Sequence, residues 1–590
     1  MKYISFLILL SCIFLSCNTG TYKNNYIQFG PVKLSSEEYL VLKKSLDGTY
    51  PRYDEDARML TKKIEGYNYH TDAQSGVFHE IRGSFSYALG LLDLGDKQYQ
   101  KRAFDIIEKT ISLQDTVKSS LTCGVWPYYM EEPLATKKSP VDYNWADFNG
   151  VSLLDIYMDH QAEIPERLKP VIQKSIILAA RSIQKRNVGP GYTNIAIMGT
   201  YVTYLTAHLF SIPDMKEYAE KRLKKFYDYT LQKDGFTEYN SPTYTLVALD
   251  ELFRMKKHII EPDSKQIIDS LYNIGWDIIA RHYHKPSGQW AGPHSRSYST
   301  LVRSSFYGIL KQASGGKIDN GSDVEPGDVK IVHKIPAYLL PYFLTPVYPR
   351  TECDIFESAE PNVIGTTYLT DRYAFSSANR SSLWNQRRPF LIYWGSSTKP
   401  FYIQVRFLHD FYDFSSACFY SEQKENTLLA GINFITNGGD KHISIDRLKD
   451  GKFKAKDLRL RFEFGNCTNA ENLDIPKVKD EMFLIKLDSL RFNFQLYMAI
   501  FEKYNGHWEK GSDGKTSWID FVIYNGLEKE IDLTKIDQAI LGFTFSVGKE
   551  SEKLPVDKPA VAIKDKLMTA KWNNLNITLP IKPGLQPNNL

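Results

Sequence analysis

Residues 77–95, VFHEIRGSFSYALGLLDLG, set the pattern that decides the fold of the first half of the chain. Apolar side chains recur there every three or four positions, which is the spacing of an α-helix, and the stretch ends in a glycine turn. Successive helices of this length, joined by short loops, predict a series of αα-hairpins. Because no strict sequence repeat is visible, an α/α toroid with a central cleft over residues 35–345 is favoured over a regular solenoid. The same spacing returns at residues 101–113, 147–159, 168–184, 194–210, 215–231, 244–255, 265–280 and 298–313.

Beyond residue 345 the sequence takes on the pattern of β-strands. A loop rich in Gly, Ser and Asp at 313–328 and a proline-punctuated stretch at 336–349 separate the two patterns. Short alternating or aromatic runs with turn residues between them are typical of antiparallel sheets. We therefore expect an antiparallel β-sandwich-like domain over residues 350–590, and an α+β multidomain chain as a whole. The runs lie at 390–394, 401–407, 482–487, 492–498, 518–524 and 540–546.

The first residues of the chain indicate export. Lys2 precedes an apolar run at residues 3–15, which is too short for a stable membrane span and has the length of a signal-peptide core. The run ends in residues 15–17, LSC, which resemble a bacterial lipobox. We therefore predict a lipoprotein signal at residues 1–17, a membrane anchor through lipidated Cys17, and a location in the periplasm or on the outer-membrane surface. The alternative is an ordinary secretory signal with an incidental cysteine.

Composition narrows the possible partners. The net charge of +4 on 590 residues is close to neutral and argues against a nucleic-acid partner. Aromatic residues make up 13% of the chain, with 38 tyrosines, and such rings stack on the apolar faces of sugars. The remaining cysteines are too widely spaced for a disulfide framework or a CxxC metal site, so we expect buried free thiols, no metal and no organic cofactor. They are Cys123, Cys353, Cys418 and Cys467.

Two segments that lead into helices concentrate side chains suited to a glycan site. Residues 187–194, NVGPGYTN, bring backbone amides and Asn194 to a helix start, where a carboxylate can be held. Asn and Thr are also ordinary N-caps, so a purely structural role is the alternative there. Residues 234–244, DGFTEYNSPTY, place a carboxylate, an amide and two phenols on one irregular segment, from Glu238, Asn240, Tyr239 and Tyr244.

A third segment combines a stacking ring with proton-transfer groups. Residues 289–298, QWAGPHSRSY, bring together Trp290, His294, Arg296 and Tyr298. A Trp ring can stack on a sugar, whereas an Arg fork beside a His and a Tyr can bind a carboxylate and move a proton. Trp145, in an earlier helical segment, is a further candidate for substrate binding.

The segment DGFTEYNSPTY resembles the DG-x-x-x-E-x-S-P-x-Y type of segment in heparinase II/III-like and alginate-type polysaccharide lyases. That resemblance implies an α/α toroid followed by an antiparallel β domain, the order of halves seen here. By position, Tyr244 matches the tyrosine that protonates the leaving oxygen, and Asn194 the asparagine that neutralises a uronate carboxylate. Those lyases usually have His directly after the asparagine, whereas this chain has Ile195, so the usual base is missing.

Elimination from a uronic acid explains why such groups belong together. The C5 proton becomes acidic only when the neighbouring carboxylate is neutralised, for which Asn194 and Arg296 are suited. A base must reach that proton and an acid the glycosidic oxygen. His294 is the expected base, with Tyr244 or Tyr298 as the acid. We therefore predict a lyase that acts on a uronic-acid polysaccharide or oligosaccharide; its oligomeric state is left open.

Two other functions are compatible with the sequence. A hydrolase of the toroidal β-glucuronidase type would use Glu238 as the acid, with Asp147 or Glu80 as a second carboxylate. In that case Arg296 and His294 would hold the glucuronate carboxylate. A non-catalytic glycan-binding lipoprotein would explain the anchor and the aromatic residues but leaves the Asn/Glu/Tyr and His/Arg/Tyr groups without a role.

The predicted anchor is tested by the substitution Cys17→Ser. Because acylation requires the thiol, we expect the variant to move from the detergent phase to the aqueous phase on Triton X-114 partitioning of expressing bacteria. Wild-type protein should stay in the detergent phase. A wild-type chain that is already found in the aqueous phase contradicts the prediction.

Overall fold

The computed structural model describes residues 25–585 except 67–69, 328, 440, 441, 443, 447, 468–474, 476 and 477. The predicted signal and Cys17 lie outside these residues. Within them, α-helices dominate up to residue 344 and strands dominate afterwards. Helices α1–α11 span, in chain order, Ser36–Thr49, Ile81–Asp93, Lys97–Ile111, Asn144–Asp159, Lys169–Arg186, Thr193–Leu209, Pro213–Gln232, Tyr244–His258, Pro262–His282, Ser304–Ala313 and Leu340–Leu344.

Four helical hairpins build the toroid. Helices α2, α4, α6 and α8 contact one another in that order, and each packs on the helix that follows it in the chain. The inner helix α6 is buried almost all round, whereas the outer helix α7 buries one stripe, as expected of an inner and an outer layer. In α6 every residue from Thr193 to His208 is buried, but in α7 only Met215, Ala219, Arg222, Leu223, Phe226 and Thr230 are buried.

Strands of the first half are short. Strands β1–β3 form a three-stranded sheet before α2, and β4 pairs with β5 after α9. Their bounds are Tyr53–Asp54, Met59–Glu65, Ser75–Glu80, Tyr283–His284 and Gln289–Trp290.

Two large antiparallel sheets form the second half. The first has the order β18-β19-β15-β11-β10-β8-β7-β6 with β12 beside β11, and the second β16-β17-β20-β14-β13-β9. A smaller sheet, β21-β22-β23, packs on β13 and β14. Strands β6–β23 span Arg350–Glu357, Val363–Leu369, Tyr373–Ala378, Arg380–Ser382, Phe390–Gly395, Pro400–His409, Tyr412–Asp413, Ala417–Lys424, Thr427–Phe434, Lys452–Gly465, Phe483–Leu487, Leu490–Phe501, His507–Ser512, Thr516–Asp532, Ala539–Lys549, Ala560–Lys564, Leu567–Trp572 and Leu575–Pro580.

An aromatic core joins the two large sheets. Phe390 of the first sheet lies 5.0 Å from Phe545 of the second, and Phe462 lies 4.5 Å from Phe494 (ring centroids). Alternate side chains of each sheet point into this core, as in a β-sandwich. The predicted fold class, a helical toroid followed by an antiparallel sandwich-like domain, is confirmed. The six strand-like runs coincide with strands except at residue 482, which precedes β16.

Two boundaries of the predicted helices are wrong. Residues 77–80 belong to strand β3, which pairs antiparallel with β2, and α2 begins only after them. Residues 298–303 are not helical, because this backbone is bonded elsewhere: Val302 N donates to Gln289 Oε1 at 3.0 Å. The periodicity also gave no indication of α1.

A buried ionic network fixes the closure of the toroid. Residues 329–334 follow α10 and lie between α2 and α8. Lys330 Nζ lies 3.1 Å from Asp93 of α2 and 3.7 Å from Asp155 of α4. Burial alone would raise the pKa of the Asp155 carboxyl, but Arg254 and Lys330 hold it at about 2. This part of the chain therefore connects the first and last inner helices.

The cysteines of the second half and of the toroid differ in burial. No disulfide joins the four cysteines in the described part of the chain. Cys418 and Cys467 are buried as expected. Cys123 is half-buried and Cys353 is exposed, so the prediction of a buried thiol is wrong for these two residues. Among the residues that the structure describes, no helix has the length and apolar character needed to cross a membrane.

Removal of the closing cation should destabilise the toroid. In Lys330→Met the carboxylates of Asp93 and Asp155 lose a buried partner, and we expect the free energy of unfolding to fall by about 3 kcal/mol. Urea unfolding followed by circular dichroism at a helix-sensitive wavelength measures the change. Lys221→Met, which breaks an exposed pair with Glu217 on α7, is the matched control and should have little effect. Equal unfolding curves for both variants contradict the prediction.

Candidate functional site

One end of the toroid collects the starts of the inner helices. Because each hairpin reverses the chain, α2, α4, α6 and α8 run in the same direction, and their N-termini share one end. We call it the helix-start end; it carries Arg82, Trp145, Asn194 and Tyr244 within the first two residues of these helices. Backbone N–H groups at helix N-termini and the helix dipoles favour an anion there.

Residues 290–298 run between the two halves of the protein at this end. On one side, Ser295 Oγ donates to Tyr239 O at 2.6 Å and Ser241 Oγ donates to Arg296 O at 2.6 Å. On the other side, the backbone of His294 and that of Arg388 exchange hydrogen bonds of 3.1 and 3.0 Å. The segment is thus held by the helical half and by the β domain together.

Five side chains form a tyrosine–arginine cluster on this segment. Tyr244 Oη and Tyr298 Oη are 2.7 Å apart. The guanidinium carbon of Arg296 lies 4.3 Å from the ring centroid of Tyr244, and its Nη1 donates to Glu238 Oε1 at 2.8 Å. Gln386 Oε1, from the β domain, accepts from Arg296 Nε and Nη2 at 3.0 and 2.8 Å. Since Tyr298 is 51% exposed, the paired phenols are open to a ligand.

Burial sets the protonation of this cluster. It raises the pKa of the Tyr244 phenol well above its ordinary value, although Arg296 opposes the shift. Burial also raises the pKa of the Glu238 carboxyl, again against Arg296. Tyr244 therefore holds its proton at neutral pH. Glu238 Oε2 is buried and has no hydrogen-bond partner among the described residues.

Asn194 lies on the neighbouring inner helix with an unsatisfied oxygen. Its side chain is 7% exposed, and its Oδ1 makes no hydrogen bond within the part of the chain that the structure describes. Tyr192, just before α6, accepts a hydrogen bond from Asn144 Nδ2 at 3.3 Å. The charges of Glu238 and Arg296 act on the Tyr192 phenol, so this side of α6 faces the tyrosine–arginine cluster.

His294 lies below the surface of the site. It is 2% exposed; its Nε2 lies 3.1 Å from Trp290 O, and its Nδ1 is buried. Burial, assisted by the charge of Arg388, lowers the pKa of His294 to about 3. The imidazole is therefore neutral at physiological pH, but neither nitrogen is accessible. The role of base expected for His294 is left without structural support.

Three predicted substrate-binding residues are instead part of the framework. The Trp290 ring is fully buried, so it offers no face to a sugar, and the expectation of a stacking surface is wrong. Asn240 Nδ2 donates to Ala291 O and Pro293 O at 2.9 Å each, and its Oδ1 accepts from Trp290 Nε1. The Tyr239 ring stacks on Phe356 of the β domain at 4.0 Å and an interplanar angle of 7°. Asn240 and Tyr239 thus fix residues 290–298 and the junction of the two halves.

Trp145 keeps an aromatic neighbour that the sequence did not indicate. Its ring stacks on Tyr128 at 4.0 Å and 11°, which leaves Trp145 8% exposed and Tyr128 half-buried. Tyr128 therefore presents the outer ring of this stack. The guanidinium carbon of Arg82 lies 6.0 Å from the Trp145 centroid.

The β domain contributes residues that sequence reasoning missed. Gln386 holds Arg296, and the Trp384 ring centroid lies 5.9 Å from the Arg296 guanidinium carbon. Both belong to residues 384–388, WNQRR, where aromatic, amide and guanidinium groups crowd a break between β9 and β10. The concentration of these polar and aromatic side chains in one loop was the feature of the sequence that could have indicated a role in the site. His409 of β11 is engaged elsewhere, with Asp446 and with Lys454 O.

The carboxylates expected to assist Glu238 in hydrolysis are paired with arginines. Asp147 is 1% exposed, and burial raises its pKa to about 7 beside Arg186 and Arg222. Glu80 pairs with Arg52 at the start of α2. In the described ranges, no group of three His, Cys, Asp or Glu side chains is arranged to hold a metal ion.

Comparisons with known proteins concern the fold. A family model described as a domain of unknown function, DUF8769, matches residues 42–323. No curated protein matches the sequence. Heparinase III is 11% identical, with a TM-score of 0.46 over 93% of this chain and 92% of that one. Chondroitin AC lyase of Streptomyces coelicolor A3 is 8% identical, with a TM-score of 0.44 over 91% and 83%. A heparan sulfate lyase from Pedobacter heparinus is 10% identical, with a TM-score of 0.39 over 93% and 90%.

The buried His294 should make the fold sensitive to acid. The unfolded chain binds a proton at His294 near pH 6.5 and the folded chain only near pH 3, so stability falls as pH drops below about 6.5. In His294→Asn we expect a smaller loss of unfolding free energy between about pH 7 and about pH 5 than in wild type. Urea unfolding at both pH values measures it. His507→Asn, at an exposed position of β18, is the control and should keep the wild-type loss; an unchanged loss in His294→Asn contradicts the assignment.

Proposed function

We propose that the protein is a polysaccharide lyase that cleaves a uronic-acid-containing glycan by β-elimination. The observation that carries this proposal is the pair of phenols, Tyr244 and Tyr298, 2.7 Å apart beside the guanidinium of Arg296. Proton donor, proton acceptor and positive charge are then within reach of one sugar residue. These are the groups that elimination needs.

Neutralisation of the uronate is the first requirement. Arg296 supplies a fixed positive charge, held in place by Glu238 and Gln386. Asn194, at the start of α6, adds an amide whose oxygen is unsatisfied in the described chain; a protonated carboxyl or a sugar hydroxyl can satisfy it. The N-terminal ends of the inner helices favour the same negative charge.

The two phenols divide the proton transfers. Tyr244 keeps its proton because of its burial, which suits the acid that protonates the leaving oxygen. Tyr298, the more exposed phenol, acts as the base after it has lost its proton. The C5 proton goes to Tyr298, a double bond forms between C4 and C5, the C4–O bond breaks, and Tyr244 protonates the departing oxygen. Transfer of one proton across the bond between the phenols then restores both residues.

Hydrolysis is the second candidate, and one observation favours it. The pKa of Glu238 is raised by burial, as a general acid requires, and its Oε2 has no partner among the described residues. A second carboxylate is also needed, however, and Asp147 and Glu80 are held in other ion pairs. Elimination gives a role to more side chains of the tyrosine–arginine cluster than hydrolysis does.

Export and anchoring complete the proposal. The apolar run and Cys17 support a lipoprotein of the periplasm or the outer-membrane surface, where polysaccharide fragments are met. This part of the proposal rests on the sequence alone, since residues 1–24 lie outside the described chain.

Incubation with a panel of uronic-acid polysaccharides tests the reaction. We expect ultraviolet absorbance from the conjugated, unsaturated uronate that elimination produces. In Tyr244→Phe the rate should fall by about 10²- to 10⁴-fold because the leaving oxygen loses its acid. Thermal unfolding should be close to that of wild type, because Tyr244 is half-buried and its phenol bonds, among the described residues, only to the exposed Tyr298.

Tyr338→Phe, which removes an exposed phenol outside the cluster, is the matched control and should keep the wild-type rate. Near-normal turnover in Tyr244→Phe contradicts the role of this residue. Reducing ends without the absorbance support hydrolysis and Glu238. Binding of glycan without either product supports the non-catalytic alternative.

A further inference from the structure

A cavity of about 490 Å³ lies in the shaft of the toroid, next to the helix-start end. Its lining includes Met198 and Val247, which follow Asn194 and Tyr244 by about one helical turn. Residues three or four apart share a helix face, so the cavity continues from the same faces that carry the site. A glycan bound at the tyrosine–arginine cluster is therefore adjacent to this space.

Four of the five acidic side chains that line the cavity pair with Lys or Arg, and the fifth, Asp250, lies beside a histidine. Such pairing leaves little negative field to repel an anionic ligand. Glu80 pairs with Arg52, Asp93 and Asp155 pair with Lys330, Glu251 pairs with Arg254, and Asp250 pairs with His333.

Arg82 is the cation of this lining without such a partner. Among the described residues it has no ion pair and no hydrogen bond that would fix its guanidinium. The group instead lies 3.9 Å from the ring centroid of Phe148. The side chain is exposed to the cavity, yet enough protein surrounds it that burial lowers its pKa. A positive charge that lies over an aromatic ring and lines an open cavity is arranged to receive a ligand oxyanion.

We propose that Arg82 binds a second anionic group of the glycan, a carboxylate or a sulfate on a sugar next to the one held at Arg296. This inference rests on the proposed function for the identity of the ligand. The planar guanidinium fork matches both oxyanions, and the surrounding protein strengthens the pairing because it lowers the local dielectric. The stack of Tyr128 on Trp145 lies beside it and offers a ring for the intervening sugar.

Calorimetric titration of the full chain tests the site. The probes are a uronic-acid hexasaccharide and its chemically sulfated form. In Arg82→Met we expect affinity to fall at least about tenfold, which corresponds to about 1.4 kcal/mol. Arg82→Lys keeps the positive charge but loses the guanidinium fork, so its affinity should lie between those of Arg82→Met and wild type. This partial rescue distinguishes a lost contact from a folding defect. Arg102→Met is the matched control, since Arg102 also lies over aromatic rings, those of Tyr50 and Tyr53, outside the cavity.

The outcomes separate the ligand group and the two proposals. An equal loss for both probes identifies a carboxylate, whereas a loss for the sulfated probe alone identifies a sulfate. Wild-type affinity in Arg82→Met for both probes, or no binding of either probe by wild type, overturns the Arg82 site. Arg82-dependent binding without ultraviolet absorbance retains the site and overturns the lyase. Ultraviolet absorbance together with binding that does not depend on Arg82 retains the lyase and overturns the Arg82 site.

Discussion

The hydrogen bonds along residues 290–298 are the constraint on which the site depends. One edge of this segment is bonded to the helical half through Ser241 and Ser295, and the other to the β domain through Arg388. Arg296 and Tyr298 project from it, so their positions depend on both halves at once. Arg281 of α9, paired with Asp354 of β6 at 2.5 Å, fixes the same junction. The two domains therefore act as one unit at the site, and neither alone would hold the cluster.

The toroid contributes the remaining side chains of the site from the starts of its inner helices. Its inner helices run in the same direction, and residues far apart in the chain meet where those helices begin. Asn194 and Tyr244 come together in this way, although their helices are separated by the outer helix α7. Nearly every residue of α6 is buried, and the polar side chains of Thr193 and Asn194 lie at its start. An anion is favoured by the charges of single residues and by the architecture together.

The sequence predicts the order of the two halves well, because helical and strand periodicities differ clearly. It fails at residues 77–80, where a β-hairpin edge directly precedes a helix without a break in the apolar pattern. Two motifs supply Glu238, Tyr244, Arg296 and Tyr298, and the structure brings these side chains into one cluster. Burial is what the motifs cannot give: Trp290 fits a stacking role by type but lies in the core. Gln386 comes from a distant loop, and such partners follow only from the tertiary fold.

The position of Lys330 has a consequence for the time course of folding. Lys330 pairs with Asp93 of α2 but comes near the end of the helical half. Ten helices, α1–α10, precede it in the chain. Closure of the ring is thus a contact of long sequence separation, and such contacts form slowly. Until then Asp93 and Asp155 lack this cation, and the inner helices expose apolar faces that favour association between chains. The interval between the first hairpin and the last is therefore the stage of folding at which association between chains is most favoured.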